Sequence, residues 1–249
     1  MAGIYEKLIR QAAKEALAPL QVGRSRKWVR DGGWYFTAVD FAPSSYNIPG
    51  AGLWVFAHYL WDRGPGFPDT DTGACDLGGR LEHTEEYTGD DEAFQAKMRE
   101  FAAQAAEKVA LYAPMRDLAR ARAFLDHPPK GTWKIPYWDC WDHAMYCYLT
   151  GEPVQGDAFL ERAQAHMRDV FGGLSRKEYL WRYPKVKPEQ ADELIRSTLE
   201  SPEYLFGQQL LALPPEEKQP FVLAGIARKR QCLRGKASWR KLGVDPVYG

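Results

Sequence analysis

Two runs of the sequence are apolar on both of their alternating faces. In Trp34–Phe41, Tyr35, Thr37, Val39 and Phe41 point one way, and Trp34, Phe36 and Ala38 point the other. In Leu53–Trp61 the sets are Leu53, Val55, Ala57, Tyr59, Trp61 and Trp54, Phe56, His58, Leu60. A period of two marks strands, and a strand apolar on both sides has to be covered on both sides. These runs therefore predict the two central strands of a sheet with helices on more than one side.

The neighbouring segments supply the other strands. Arg26–Arg30 precedes Asp31-Gly32-Gly33, a turn signal in which Asp-Gly supplies positive φ angles, so a hairpin into Trp34–Phe41 is expected. Pro43-Ser44-Ser45 ends that strand. After the second run comes a Gly/Pro/Asp loop over 62–79, long enough to suggest function or motion. Leu81–Tyr87 alternates Leu81, His83, Glu85 and Tyr87 with Glu82, Thr84 and Glu86, which fits a short, polar edge strand.

Helical spacing takes over on either side. Residues 3–18 carry Ile4, Leu8, Ala12 and Ala16, with Pro19 as a stop. Asp90 is placed to cap a helix with Phe94, Met98, Phe101, Ala105, Val109 and Tyr112 on one stripe. Pro114 suits the first position of a further helix that runs to Asp126. Tyr137–Thr150 is an aromatic helix closed by Gly151, and Gln155–Phe171 another closed by Gly172. Pro188 and Pro202 open two more, and a last helix runs from Glu216 to about Leu233. The small residues Ala144, Gly151, Ala158 and Ala163 follow the pattern of a tetratricopeptide-type pair, but no second copy occurs at a fixed period, so an ordinary antiparallel helix pair is expected. The fold class read from this is α+β: a small antiparallel sheet of about four strands near the N-terminus, packed against and followed by a mostly helical remainder. Residues 1–175 are expected as an α+β domain and 176–249 as a helical extension with a basic tail.

Composition limits function. Lys plus Arg and Asp plus Glu are 33 each, so the net charge is zero and no global field draws the chain to nucleic acid or to an anionic membrane. No run approaches the ~20 apolar residues of a membrane span. The start is an amphipathic helix pattern with no continuous apolar leader, which with the four scattered cysteines, Cys75, Cys140, Cys147 and Cys232, reads as a reducing cytosol without disulfides.

The candidate motifs mostly fail on their own chemistry. Asp69-Thr70-Asp71-Thr72-Gly73 lacks the strand that a phosphotransfer aspartate needs, and the fifth-position carboxylate, sixth-position Gly and twelfth-position Glu of a calcium loop are replaced by Gly73, Ala74 and Arg80. Cys140, His143 and Cys147 share a helix face and so form a candidate three-ligand set, but their neighbours Trp138, Trp141, Tyr146 and Tyr148 read as a buried helix, and no metal or cofactor is expected. Cys140 with His143 as nucleophile and base lacks an orienting group. Ser44-Ser45 lacks the strained Gly-x-Ser-x-Gly turn. Neither type of Gly-rich phosphate loop is present. The strongest charge feature is Arg228–Lys241, with Arg228, Lys229, Arg230, Arg234, Lys236, Arg240 and Lys241, no acid, and Trp239 placed to stack on a base.

The segments Gly23-Arg24-Ser25-Arg26-Lys27-Trp28, Gly33-Trp34 and Val39-Asp40-Phe41-Ala42-Pro43-Ser44-Ser45-Tyr46, followed by Tyr59-Leu60-Trp61, resemble a bacterial family without assigned function. Its members open with a short helix, a basic G-R-S-R-x-W strand and a strand ending F-x-P-S-S plus an aromatic. The resemblance covers roughly residues 1–150. More loosely, the chain is similar to small α+β domains found among bacterial immunity and phage-encounter genes. The resemblance implies a bacterial cytosolic protein and carries no activity.

The leading expectation is a non-enzymatic binding protein that meets a protein or small ligand through Arg24, Arg26, Trp28, Ser44, Ser45 and Tyr46, since Trp, Tyr and Arg are common interface anchors. One alternative is a hydrolase or transferase with its site between the sheet and the helix of His143, using Asp139, Asp142 or His143 beside Ser44 or His58. The other is nucleic-acid association through Arg228, Lys229, Arg230, Arg234 and Trp239.

Overall fold

The structure is a computed structural model. It describes residues 2–18, 20–22, 26–43, 49–61, 77–127, 136–168, 177, 180–181, 185 and 187–235. The fold is α+β, with an antiparallel sheet near the N-terminus and a mostly helical remainder. The residues group into two compact units, the first built from 1–60, 70–133 and 226–249, the second from 61–69 and 134–225. The boundary expected at 175/176 lies outside the described residues.

In the first unit, helix α1 (Ala2–Ala16) is followed by strands β1 (Gln21–Val22), β2 (Lys27–Asp31), β3 (Tyr35–Pro43), β4 (Gly50–Tyr59) and β5 (Leu77–Glu86), which pair in chain order, all antiparallel. The sequence expectation of four strands is extended by the two-residue β1. It is also corrected at β5, which runs ten residues and begins four earlier than the short edge strand expected at Leu81. Gly78 and Gly79 read as turn residues locally, yet they pair with Phe56 and Val55, and the ladder outweighs the local preference. Helix α2 (Asp91–Tyr112) packs on β3, β4 and β5, and α1 packs on α2. The Asp90 carboxylate accepts from the Ala93 N–H at 3.0 Å, and the expected stripe from Phe94 to Tyr112 is buried. A 3-10 turn (Ala113–Arg116) leads to α3 (Leu118–Asp126). The helix expected to start at Pro114 is thus split, because the Asp117 side chain caps Ala119 N–H and starts a new helix there.

The Tyr35 hydroxyl donates to the Tyr112 carbonyl at 2.8 Å, so Tyr35, Val39, Val55 and Tyr59 face α2. The opposite face, with Val29, Phe36, Ala38 and Phe56, is buried as well, in keeping with strands apolar on both sides. At the β2–β3 turn only Gly33 has a positive φ (+88°), where the Asp-Gly reading expects a pair of such residues. The Asp31 carboxylate accepts from the Gly33 N–H at 2.9 Å.

The second unit holds α4 (Pro136–Leu149), α5 (Pro153–Met167), α6 (Pro188–Leu199) and α7 (Pro202–Ala212), with α4 packed along α5 and α5 against α7. The last helix, α8 (Pro215–Gly235), gives its residues before Ile226 to this unit and the rest to the first. Among the described residues no helix is long and apolar enough to cross a membrane.

Candidate functional site

The expected binding surface is only partly described. Arg24, Ser44, Ser45 and Tyr46 lie outside the described residues. Arg26 precedes β2, its guanidinium 3.8 Å from the Glu6 carboxylate and 5.8 Å from the Tyr5 ring centre. Its Nη1 is buried without a hydrogen-bond partner among the described residues. Trp28 is 3% exposed and meets Phe41 edge-on at 5.3 Å. It pairs with Val39 and shares the face that α2 covers, so it serves the core and presents no anchor to a partner.

The same holds for most of the aromatic excess. Trp34 is fully buried, stacked on Tyr59 at 5.4 Å, with its indole N–H donating to the Met115 carbonyl at 3.1 Å. In the second unit, Trp141 is fully buried between Trp138 and Phe206, and the Trp61 N–H donates to the Asp142 carboxylate at 2.9 Å.

His143 is also a packing residue. Its ring stacks on Phe159 at 4.9 Å, and Nδ1 lies 2.7 Å from the Asp139 carbonyl, which can only accept, so Nδ1 carries the proton. Cys140 and Cys147 are buried along the same helix. Among the described residues no group of three or more His, Cys, Asp or Glu converges to hold a metal ion.

Within the basic run, Arg228 is exposed and Lys229 half-buried, whereas Arg230 is 1% exposed. Arg230 pairs with Asp31 and donates to the Gly33 carbonyl, so it is a core residue and no contact for a polyanion. The Arg234 side chain and Trp239 lie outside the described residues.

A cavity lies elsewhere, where three helix ends of the second unit converge. Helix α4 ends in a Schellman motif: Gly151, at φ +79°, donates to the Tyr148 carbonyl at 3.1 Å, and Glu152 N–H to that of Cys147 at 2.8 Å. Helix α5 begins with Pro153 and α8 with Pro215, both at positions whose missing N–H costs nothing. Tyr148, Gly151, Pro153, Pro215, Glu216 and Gln219 line a cavity of about 340 Å³, at the lower end of small-ligand sites.

A buried polar network fixes one wall. The Tyr148 hydroxyl donates to the Asp157 carboxylate at 2.6 Å. The Lys218 ammonium pairs with that same carboxylate oxygen, donates to the Leu211 carbonyl at 3.3 Å, and lies 5.5 Å from the Tyr148 ring centre. Gly156 lets the ring into place, since a Cβ there would lie 2.4 Å from it. Burial, and then the bond to Asp157, push the Tyr148 hydroxyl well above the usual tyrosine range, so it holds its proton and serves as a donor only. The other wall is held by the Gln219 side-chain amide, which donates to the Leu149 carbonyl at 2.9 Å. Pro220, inside α8, has no N–H, so the Glu216 carbonyl loses its usual i+4 donor.

The ionisable lining groups are thus a protonated phenol and the exposed carboxylate of Glu216. They form neither a nucleophile–base pair nor an oxyanion site. They suit binding: Pro153, Pro215 and the Tyr148 ring offer apolar surface, and the Glu216 carboxylate and carbonyl offer acceptors. Sequence reasoning found the three helices, starting the second at Gln155 where the structure starts it at Pro153, but not their convergence. The available signal was proline at the first turn of two helices beside the Gly151 stop.

Compared with known proteins, the chain matches no family model, no curated protein and no solved structure.

Proposed function

We propose that this chain is a non-enzymatic binding protein of the bacterial cytosol, and that its ligand is a small, partly apolar molecule bearing a cationic or neutral N–H donor. The observation that carries the reading is the cavity of the second unit. Its walls are pre-organised by the Tyr148–Asp157–Lys218 network and by Gln219, so ligand binding need not order them. Apolar surface beside a few acceptors is the usual make-up of a small-molecule site.

The test is to fill the cavity without breaking the fold. Asparagine tolerates the left-handed backbone of Gly151, and a Cβ there meets only the Gln219 amide nitrogen, at 3.9 Å. Gly151→Asn is therefore expected to fold while its side chain occupies the cavity. A panel of aryl and alkyl amines, screened by thermal shift and then titrated calorimetrically, is expected to yield ligands that bind the native chain and lose at least tenfold affinity in Gly151→Asn. Glu216→Gln is expected to weaken the cationic members selectively. A panel without binders, or binding unaltered by Gly151→Asn, overturns the reading.

A further inference from the structure

Helix α4 leaves its last carbonyls to partners beyond its own ladder. The Tyr146 carbonyl takes the Thr150 N–H, that of Cys147 the Glu152 N–H and that of Tyr148 the Gly151 N–H. The Leu149 carbonyl is met from another helix, by the Gln219 side-chain amide of α8 at 2.9 Å. A carbonyl can only accept, so the amide nitrogen has to face Leu149 and the amide oxygen turns away from it. Gln219 is exposed and lines the cavity, and among the described residues no donor reaches its oxygen. The bond to Leu149 thus caps α4 and also holds one acceptor at the cavity wall in a set orientation.

Glu216 supplies the second acceptor. It precedes Gln219 by three residues on α8, so the two side chains are neighbours on one helix face, and both line the cavity. The charge about them favours a cation. Within 148–157 and 215–219 the sequence holds Glu152, Asp157, Glu216 and Glu217 against Lys218. Lys218 pairs with Asp157, which leaves Glu152, Glu216 and Glu217, all of them exposed. The starts of α5 and α8 contribute about half a positive charge each and the end of α4 about half a negative one, which does not offset those acids.

A carboxylate beside a neutral amide oxygen fits a donor that carries charge and offers two N–H groups in one plane. An amidinium or guanidinium does so: its fork is rigid, weakly hydrated and able to give one N–H to each acceptor. An alkylammonium is a compact, strongly hydrated point charge that the Glu216 carboxylate satisfies alone. Building on the cavity as a small-molecule site, we infer that Gln219 is its specificity-determining residue and that the ligand carries an amidine or guanidine group on an apolar body. Glu216 holds the charge and Gln219 takes the second N–H. The apolar body lies against Pro153, Pro215 and the Tyr148 ring.

The test is calorimetric titration of the full chain with benzamidine and phenylguanidine, each compared with benzylamine. The two flat cations are expected to bind about tenfold more tightly than benzylamine, the worth of one charge-assisted hydrogen bond. Glu216→Gln should weaken all three about equally and keep that ratio. Gln219→Met keeps the length of the side chain but not its oxygen. It should cost benzamidine and phenylguanidine about tenfold and benzylamine less than about threefold. A residue that only capped α4 would weaken the three alike. The melting temperature of Gln219→Met should fall by no more than about 4 °C, the span of one hydrogen bond in a chain of this size. Benzamidine and phenylguanidine that bind no better than benzylamine, or a ratio that Gln219→Met leaves unchanged, overturn the inference. If amines still bind and lose affinity in Gly151→Asn, the cavity reading survives that result. If no amine, amidine or guanidine binds, both fall.

Discussion

Arg230 and Asp31, 199 residues apart in the chain, meet as a two-point ion pair: Nη1 donates to Oδ1 at 2.8 Å and Nη2 to Oδ2 at 2.5 Å. Nη1 also donates to the Gly33 carbonyl at 2.5 Å. One side chain of the last helix thereby reads both the carboxylate and the backbone of the β2–β3 turn. The turn is shaped for it. Asp31 accepts from Gly33 N–H, and Gly33 takes the positive φ that sets its carbonyl.

Breaking this pair should be costly from either side, and removing the aspartate strands the more buried charge. Removing one partner of a buried ion pair typically costs about 3–5 kcal/mol. Asp31→Ala leaves a guanidinium 1% exposed that has lost both of its carboxylate bonds. Arg230→Ala leaves a carboxylate 20% exposed, which water reaches in part, but adds a cavity in place of a large side chain. Arg230→Lys cannot keep the two-point geometry and should recover less than half of the loss. Urea unfolding followed by far-UV circular dichroism gives the three values.

The Lys218–Asp157 pair should show the asymmetry more sharply, since the Lys218 side chain is 2% exposed and that of Asp157 33%. Asp157→Ala strands a buried ammonium and the Tyr148 hydroxyl together, and should cost about 3–5 kcal/mol. Lys218→Met keeps the volume and leaves the carboxylate its bond to Tyr148 and its contact with water. Roughly 1–2 kcal/mol is expected there. Equal losses for the two variants would contradict this description of the network.

Two buried tyrosines predict an alkaline limit on stability. Burial pushes the Tyr35 hydroxyl from its ordinary value of 10 up to about 12, and Tyr148 is raised as well. A group that holds its proton more tightly when folded stabilises the fold fully below its unfolded pKa and loses that contribution as pH rises through the folded value. Unfolding free energy should thus fall from pH 10 upward, with the Tyr35 share spent by about pH 12. Tyr35→Phe should cost about 1 kcal/mol at neutral pH, the worth of the bond to the Tyr112 carbonyl, and make the alkaline fall shallower. Urea midpoints between pH 7 and 12 check both statements.

Two glycines with similar backbones should respond very differently. Gly78 and Gly89 have φ of +90° and +101°. A Cβ at Gly89 meets nothing within 4 Å, so Gly89→Ala should cost only the left-handed backbone, about 1–2 kcal/mol. At Gly78 a Cβ would stand 2.5 Å from both the Tyr112 hydroxyl and the Val55 carbonyl. Strain plus overpacking puts Gly78→Ala at roughly 4 kcal/mol. Chemical denaturation of the pair measures the difference directly.

How far the sequence shows these things depends on how local their causes are. The α2 stripe from Phe94 to Tyr112, the cap at Asp90 and the stop at Gly151 are set within one helix, and all were legible. The central strands were legible because both their faces are apolar. The start of β5 was not, because Gly78-Gly79 spells a turn until β4 pairs with it. Arg230 was not, because it stands among Arg228, Lys229 and Arg234 and looks like one more cation of a solvated run. Its distinction lies in Asp31, which no periodicity connects to it. Trp28 misled for the opposite reason: beside Arg24 and Arg26 it looks like an anchor, while its strand parity, shared with Val39, assigns it to the α2 face. The cavity joins the end of one helix to the starts of two others, and no sequence pattern records that meeting.

The Asp31–Arg230 pair also bears on the order in which the protein is made. Arg230 leaves the ribosome 199 residues after Asp31, so at synthesis rates of about 5–20 residues per second the turn waits roughly 10–40 s for its counter-ion. Until then the carboxylate keeps its hydration, and the end of the sheet that Arg230 covers stays open to water and chaperones. The β2–β3 hairpin is thus sealed long after its own strands are translated.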